Sequence, residues 1–240
     1  SPSCRSVTFA TISRTIAARV SHRFVVDLAA TAVRGQYEPM VYRIYTARPN
    51  DIDRCAHVLA EAFCDDPLMV GIWPRERARH TALPSYFATS LRHFHLSGGG
   101  VRYASTEAGE VSAVSVWDGP SLWKPPTATT LRALPGLVAA LRARTAMALR
   151  IRAILDAHHP VARHWYLANV GSATAHRGLG AAKELIADKL AQCDENSLAA
   201  YLVCTDPANV TYYEKFGFTV SERFSLPNGS NLASMWRSPR

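Results

Sequence analysis

The chain has 240 residues, 48% apolar and 19% charged, with a formal charge of +8. Such a length and balance suit one sizeable α/β domain with a full core, and exclude a disordered chain. Its apolar runs stop short of the roughly 18 residues a membrane span needs, and its Lys and Arg are dispersed, without the basic runs and interleaved aromatics of nucleic-acid binders.

Residues 1–39 differ from the rest. They hold Arg5, Arg14, Arg19, Arg23 and Arg34, many Ser and Thr, and only Asp27 and Glu38 as acids. That composition is that of a mitochondrial transit segment, and equally of a translated leader with Met40 as the natural start. We therefore expect a leader over 1–39 and one domain over 40–240, cytoplasmic unless the leader is a genuine transit segment. Cysteines at 4, 55, 64, 193 and 204 form no C-x-x-C pair and no His/Cys ligand spacing, which predicts free thiols and no metal site.

Taken in order, Tyr42 to Ala47 alternates as a first strand. Pro49-Asn50 introduces a helix whose Ile52, Cys55, Ala56, Leu59, Ala60 and Phe63 follow a 3.6 period. A second helix is predicted over 76–96, then a turn at Gly98–Gly100 and a hairpin of strands near 101–106 and 111–117. Residues 118–160 carry two helical patterns, one marked by Leu131, Leu134, Leu137, Val138 and Leu141, the other by Met147, Ile151, Ile154 and Leu155. Further strands fall near 163–172, 198–205, 217–224 and 232–238. No internal repeat appears.

The most telling segment is Arg177-Gly178-Leu179-Gly180-Ala181-Ala182, between the apolar run 164–171 and an amphipathic helix. A strand feeding a Gly-rich loop and then a helix presents bare backbone N–H groups at a positive dipole end, a receiver for a pyrophosphate. It is not a Rossmann fingerprint, because Lys183 occupies the third small position, and no P-loop spacing is present. Downstream, Asp206-Pro207 reads as an N-cap with proline at the first helical position. Gly217 reads as the stop of that helix.

The spacing [Q/R]-G-x-G-x-[G/A] at 177–182, with N-x-x-x-Y-E-[KR]-x-G-F matched by Asn209, Tyr213, Glu214, Lys215, Gly217 and Phe218, resembles the GNAT superfamily of acyl-CoA-dependent N-acetyltransferases. The resemblance runs from about Tyr42 to the C-terminus and is greatest to its branch of puromycin N-acetyltransferases and related small-molecule acetyltransferases. Its landmarks are Ala62-Phe63-Cys-Asp-Asp66-Pro67, Ala113–Trp117, His159-Pro160 and His164–Leu167. The resemblance implies an α/β (α+β) fold with a mixed, mostly antiparallel sheet of about seven strands flanked by helices and splayed between the fourth and fifth. It implies acetyl-CoA as co-substrate and no metal. Cofactor contacts would come from the strand edge at Asn169, Val170, Gly171 and Ser172, from Arg177, Gly178, Leu179, Gly180, Ala181 and Ala182, and from Asn209 and Tyr213. Tyr213 matches the family's general acid.

Acetyl transfer to an amine requires a neutral amine, a polarised carbonyl, a protonated leaving thiolate and both substrates held in line. The base is the unsettled part. The antibiotic-modifying branch carries an acid in the fifth strand where this chain has Val203, leaving Asp65, Asp66, Asp118, His164 and Tyr166 as candidates. Asp66, Trp117, Asp118, Trp165 and Tyr166 are the expected acceptor-site residues, Trp123 a further aromatic beside them, although core packing is the commoner fate of a tryptophan. A small-molecule amine is the expected partner, with no nucleic acid or membrane, and a monomer or homodimer. A protein N-terminus, lysine or polyamine acceptor is the alternative within enzymes, and a non-catalytic CoA-binding module the alternative outside them.

Overall fold

A computed structural model describes residues 41–240; the predicted leader at 1–39 lies outside the described residues. Seven strands form one sheet: β1 (Arg43–Thr46), β2 (Val101–Ser105), β3 (Val111–Asp118), β4 (His164–Ser172), β5 (Ala199–Cys204), β6 (Thr219–Ser225) and β7 (Asn231–Arg237). Their order is β1-β2-β3-β4-β5-β7-β6, antiparallel throughout except for the central β4–β5 pair. β3 reads as a near-continuous run of small and apolar residues because it is buried on both faces from Ser112 to Asp118.

Helix α1 (Ile52–Ala62) follows a 3₁₀ turn at Pro49–Asp51, where the Asp51 carboxylate accepts the Arg48 N–H at 2.9 Å. Its buried stripe includes Ile52, Cys55, Ala56 and Leu59, the period read from the sequence. A short helix, α2 (Pro67–Ile72), comes next and no apolar period announced it. The helix predicted over 76–96 is α-helical only as α3 (Glu76–Ser90) and continues as a π turn over Leu91–His95, where Leu96 N–H reaches the Leu91 carbonyl. The insertion forms the two expected helices, α4 (Thr127–Leu141) and α5 (Thr145–Ala157). Two more follow the central strands: α6 (Ala181–Glu195) and α7 (Val210–Glu214).

The core divides into two layers on opposite faces of the sheet. Leu59, Leu83, Phe87, Val114, Val116 and Ile151 pack under α1, α3 and α5. Trp117, Leu167, Ile186, Leu190, Phe218 and Met235 pack under α6 and α7. Each of these side chains that is fully buried contributes about 1.5–3 kcal/mol of transfer free energy. Among the described residues, Cys55, Cys64, Cys193 and Cys204 are free and buried, and no helix is long and apolar enough to cross a membrane.

Candidate active site

The site begins where the parallel pairing stops. β4 and β5 are joined only from His164–Leu167 to Ala199–Leu202, so Ala168–Ser172 turns an unpaired edge toward β5. On its other side β4 pairs with β3, but Val116 faces Asn169 and Trp117 faces Leu167, so Ala168 is left over as a bulge. A bulge bends its strand and re-aims the backbone groups beside it. Here it lies at the apex of the splay. The edge expected to bind through backbone atoms, Asn169, Val170, Gly171 and Ser172, is the free one. Gly171 also lets α1 approach, since a Cβ there would lie 2.4 Å from that of Ala62.

Beyond Ser172 a 3₁₀ turn (Thr174–His176) leads to Arg177 in extended conformation. Gly178 and Gly180 then adopt φ of +78° and +97°, the left-handed region that L side chains avoid. Gly180 is the N-cap of α6 and offers no side chain. The first helical bond runs from Glu184 N–H to the Gly180 carbonyl, so the N–H groups of Ala181, Ala182 and Lys183 precede the ladder. The loop is fixed from behind: the Glu61 carboxylate accepts Thr174 N–H at 3.1 Å, and the Glu61 carbonyl accepts the Arg177 guanidinium at 3.1 Å. Arg177 is thus tied to the end of α1. The Tyr42 hydroxyl bonds the Leu179 carbonyl, leaving the Leu179 side chain exposed.

Tyr213 stands in the last turn of α7, half-buried against Tyr212 and Phe218, and its hydroxyl bonds no described residue. Burial, then the nearby Cys204, Tyr212 and Asp66, hold its phenol well above its ordinary pKa. The Asp206 carboxylate caps this segment by accepting Ala208 N–H, with Pro207 first in the turn. Gly217, at φ +89°, ends the segment. Asn209 is exposed one turn before Tyr213.

Asp66 is the N-cap of α2. Its Oδ1 accepts Leu68 and Met69 N–H at 2.9 and 3.2 Å, and its Oδ2 accepts the Thr205 hydroxyl. Burial nevertheless lifts its carboxyl above the ordinary range, against those hydrogen bonds. Val203 packs against the α1-side layer two residues before Thr205. The carboxylate at this end of β5 is therefore brought by the α1–α2 loop, not by the strand.

The other expected acceptor residues separate by layer. Trp117 is 1% exposed in the α6-side core, and Trp165 lies there too, with Lys189 Nζ 3.2 Å from its ring centroid. Asp118, Tyr166, Tyr201 and Trp236 form one cross-strand row on the opposite face. Along this row Tyr166 is 5.7 Å from Tyr201, and His159, stacked on Trp123 at 3.7 Å, meets both edge-on. His164 Nδ1–H donates to the Ala162 carbonyl, and its Nε2 is 3.0 Å from that of His159. Burial and the neighbouring His164 push His159 down to about 3, so this pair is neutral. Asp118 is bonded to His95, and Asp65 lies exposed 3.8 Å from Arg79. Asp66 is held at the end of β5 by Thr205 and is near enough to help raise the Tyr213 phenol, while Trp117 and Trp165 share the α6-side layer against which Tyr213 packs. Among the described residues no group of three metal-ligating side chains occurs.

Residues missing from the sequence-based set are Glu61, Thr205, Ala168 and His95. The Asp-Pro at 66–67 was a legible cap signal; the others depend on tertiary contacts.

Comparison with known proteins agrees with this geometry. Residues 160–237 match the family model of the acetyltransferase (GNAT) domain. Among solved structures, one from Corynebacterium glutamicum, described as histone acetyltransferase HPA2 and related acetyltransferase, superposes with a TM-score of 0.65 at 24% identity, covering 84% of this chain and 98% of that one. Arylalkylamine N-acetyltransferase 2 of Aedes aegypti superposes with a TM-score of 0.52 at 14% identity, over 83% and 99%. An N-acetyltransferase of Staphylococcus aureus Mu50 gives 0.51 at 14%, over 81% and 99%. The fold is the GNAT fold, and residues 160–237 match the acetyltransferase (GNAT) domain model.

Proposed function

We propose that the chain transfers an acetyl group from acetyl-CoA to the amine of a small molecule, by direct attack when both substrates are bound. What carries this reading is the continuity of two backbone features. The unpaired β4 edge supplies partners for an amide-bearing arm, and it runs directly into the uncapped N-terminus of α6, which suits a diphosphate. The bulge at Ala168 re-aims the backbone beside the splay, which supports a role for a main-chain N–H there in polarising the thioester carbonyl.

Tyr213 donates a proton to the departing sulfur. A raised phenol pKa keeps the proton on the hydroxyl, yet makes it a weaker acid. The same surroundings compensate, because Cys204 beside it has its own thiol pushed up to about 11 by burial. A thiolate leaving in the same desolvated surroundings also gains proton affinity, which favours its protonation. Asp66 accepts the proton of the attacking amine, directly or through one water, and Thr205 holds the carboxylate in place.

The α4–α5 insertion supports a small acceptor over an open peptide groove. Leu137, Met147, Ile151 and Leu155 settle it on the α1-side core layer, beside the Tyr166–Tyr201 row. By the resemblance stated above, an aminonucleoside such as puromycin is the first amine to assay. The test is thiol release from acetyl-CoA across small amines, puromycin, polyamines and peptides. Turnover with small amines supports the reading; turnover with peptides alone redirects it to a protein acceptor. Silence with acetyl-CoA bound overturns catalysis in favour of a binding module.

A further inference from the structure

Away from the splay, the structure joins three side chains in the order serine, histidine, aspartate. Asp118 Oδ1 lies 2.6 Å from His95 Nδ1, and His95 Nε2 lies 3.4 Å from Ser90 Oγ. An ionised carboxylate only accepts, so Nδ1 carries the proton and, in the neutral ring, Nε2 presents its lone pair to the Ser90 hydroxyl. The Asp118 and His95 side chains are 8% and 11% exposed, while Ser90 is half-buried.

Two features set this apart from incidental contact. Two other hydroxyls on α3 turn back to their own helix, Thr81 to the Arg77 carbonyl and Ser85 to that of Ala82, as short polar side chains in helices do. The Ser90 hydroxyl has His95 as its hydrogen-bond partner among the described residues. And the pairing of positions five apart exists because the helix widens into a π turn at Leu91–His95, a local distortion that recurs at functional sites. A nucleophile, a base and a group that orients the base, slightly loose without substrate, constitute the arrangement of an activated serine.

We propose that Ser90 is a second, independent nucleophile that takes the acyl group of small carboxylic esters and passes it to water. The Ser90 oxygen bonds to the ester carbonyl carbon while its proton moves to His95 Nε2. The ester C–O bond breaks, and the leaving alcohol takes that proton. Water then attacks acyl-Ser90, gives its proton to His95, and the regenerated Ser90 hydroxyl recovers it. The sum is ester plus water to acid plus alcohol.

The test uses the full chain with a fluorophosphonate probe and, separately, p-nitrophenyl acetate. The expected results are one phosphonyl adduct located at Ser90 by peptide mapping, and loss of adduct and ester hydrolysis in Ser90→Ala. Labelling should fall about 100-fold in His95→Gln, the lower end for loss of a general base. Ser85→Ala, whose hydroxyl is already bonded to backbone, should label as the parent does. Because Ser90→Ala removes one half-buried oxygen, its fold should survive, which circular dichroism verifies. No adduct, an adduct elsewhere, or unchanged labelling in a folded His95→Gln overturns the proposal.

Discussion

Gly180→Val isolates the proposed phosphate cradle. Gly180 sits at φ +97° with no atom within 4 Å of where a Cβ would stand, so a valine there meets no neighbour and the cost is conformational. A left-handed backbone costs an L residue about 1–2 kcal/mol, more when β-branched. The loop relieves that strain by rotating, which turns the adjoining N–H groups from the phosphate. One charge-assisted hydrogen bond lost is worth about 1.5–3 kcal/mol. Dissociation constants for acetyl-CoA should therefore rise about 10- to 100-fold, with the melting temperature little changed. Isothermal titration reads the first quantity and differential scanning the second. A truncated donor, acetyl-pantetheine, lacks the diphosphate and should be used by parent and variant at equal kcat/KM. If Gly180→Val binds acetyl-CoA as tightly as the parent, or loses both donors equally, the diphosphate does not rest on this loop.

Three further outcomes follow from the same geometry. Tyr213→Phe should lower kcat about 100-fold while leaving the acetyl-CoA dissociation constant within about twofold, as expected for a proton donor engaged only in the chemical step. Burial raises the Asp66 carboxyl, so its ionised, proton-accepting form is lost as pH falls through a value above the ordinary carboxylate range. The parent's kcat/KM for the amine should show that acidic limb, and Asp66→Asn should lose both most of the rate and the limb. Arg237 is 4% exposed and holds Asp194 through two 2.7 Å hydrogen bonds, the first cause of an Asp194 carboxyl at about 2. A depressed carboxyl stabilises the fold fully above its unfolded value near 4, and that contribution disappears as pH falls toward 2. Urea unfolding of Arg237→Ala should show a loss of about 2–4 kcal/mol at neutral pH and a flatter decline between about pH 4 and pH 2.

Much of the fold was legible because local signals and tertiary outcome agree. Asp206-Pro207 caps its segment as the residue types require, Gly217 ends it, and every strand lies within two residues of its apolar run. The same cap signature at Asp66-Pro67 marked α2, but a six-residue helix has too few turns to show a period, so the sequence predicted none. The π turn left no trace, since Leu91–His95 reads as a continuation of α3. Trp165 and Tyr166 are successive residues of one strand, as are Trp117 and Asp118, and successive side chains point to opposite faces. Only one of each pair is able to look into a pocket above the sheet. Where β4 and β5 part is a matter of pairing between distant segments, and no single-strand pattern encodes it.

Glu61 ties both the turn at Thr174 and the Arg177 side chain to the end of α1, and the chain leaving that end reaches Asp66 only five residues later. The glycine turn and the loop that carries Asp66 thus share a common abutment. A displacement of the glycine turn is passed, through that brief tether, to the segment that carries the Asp66 carboxylate.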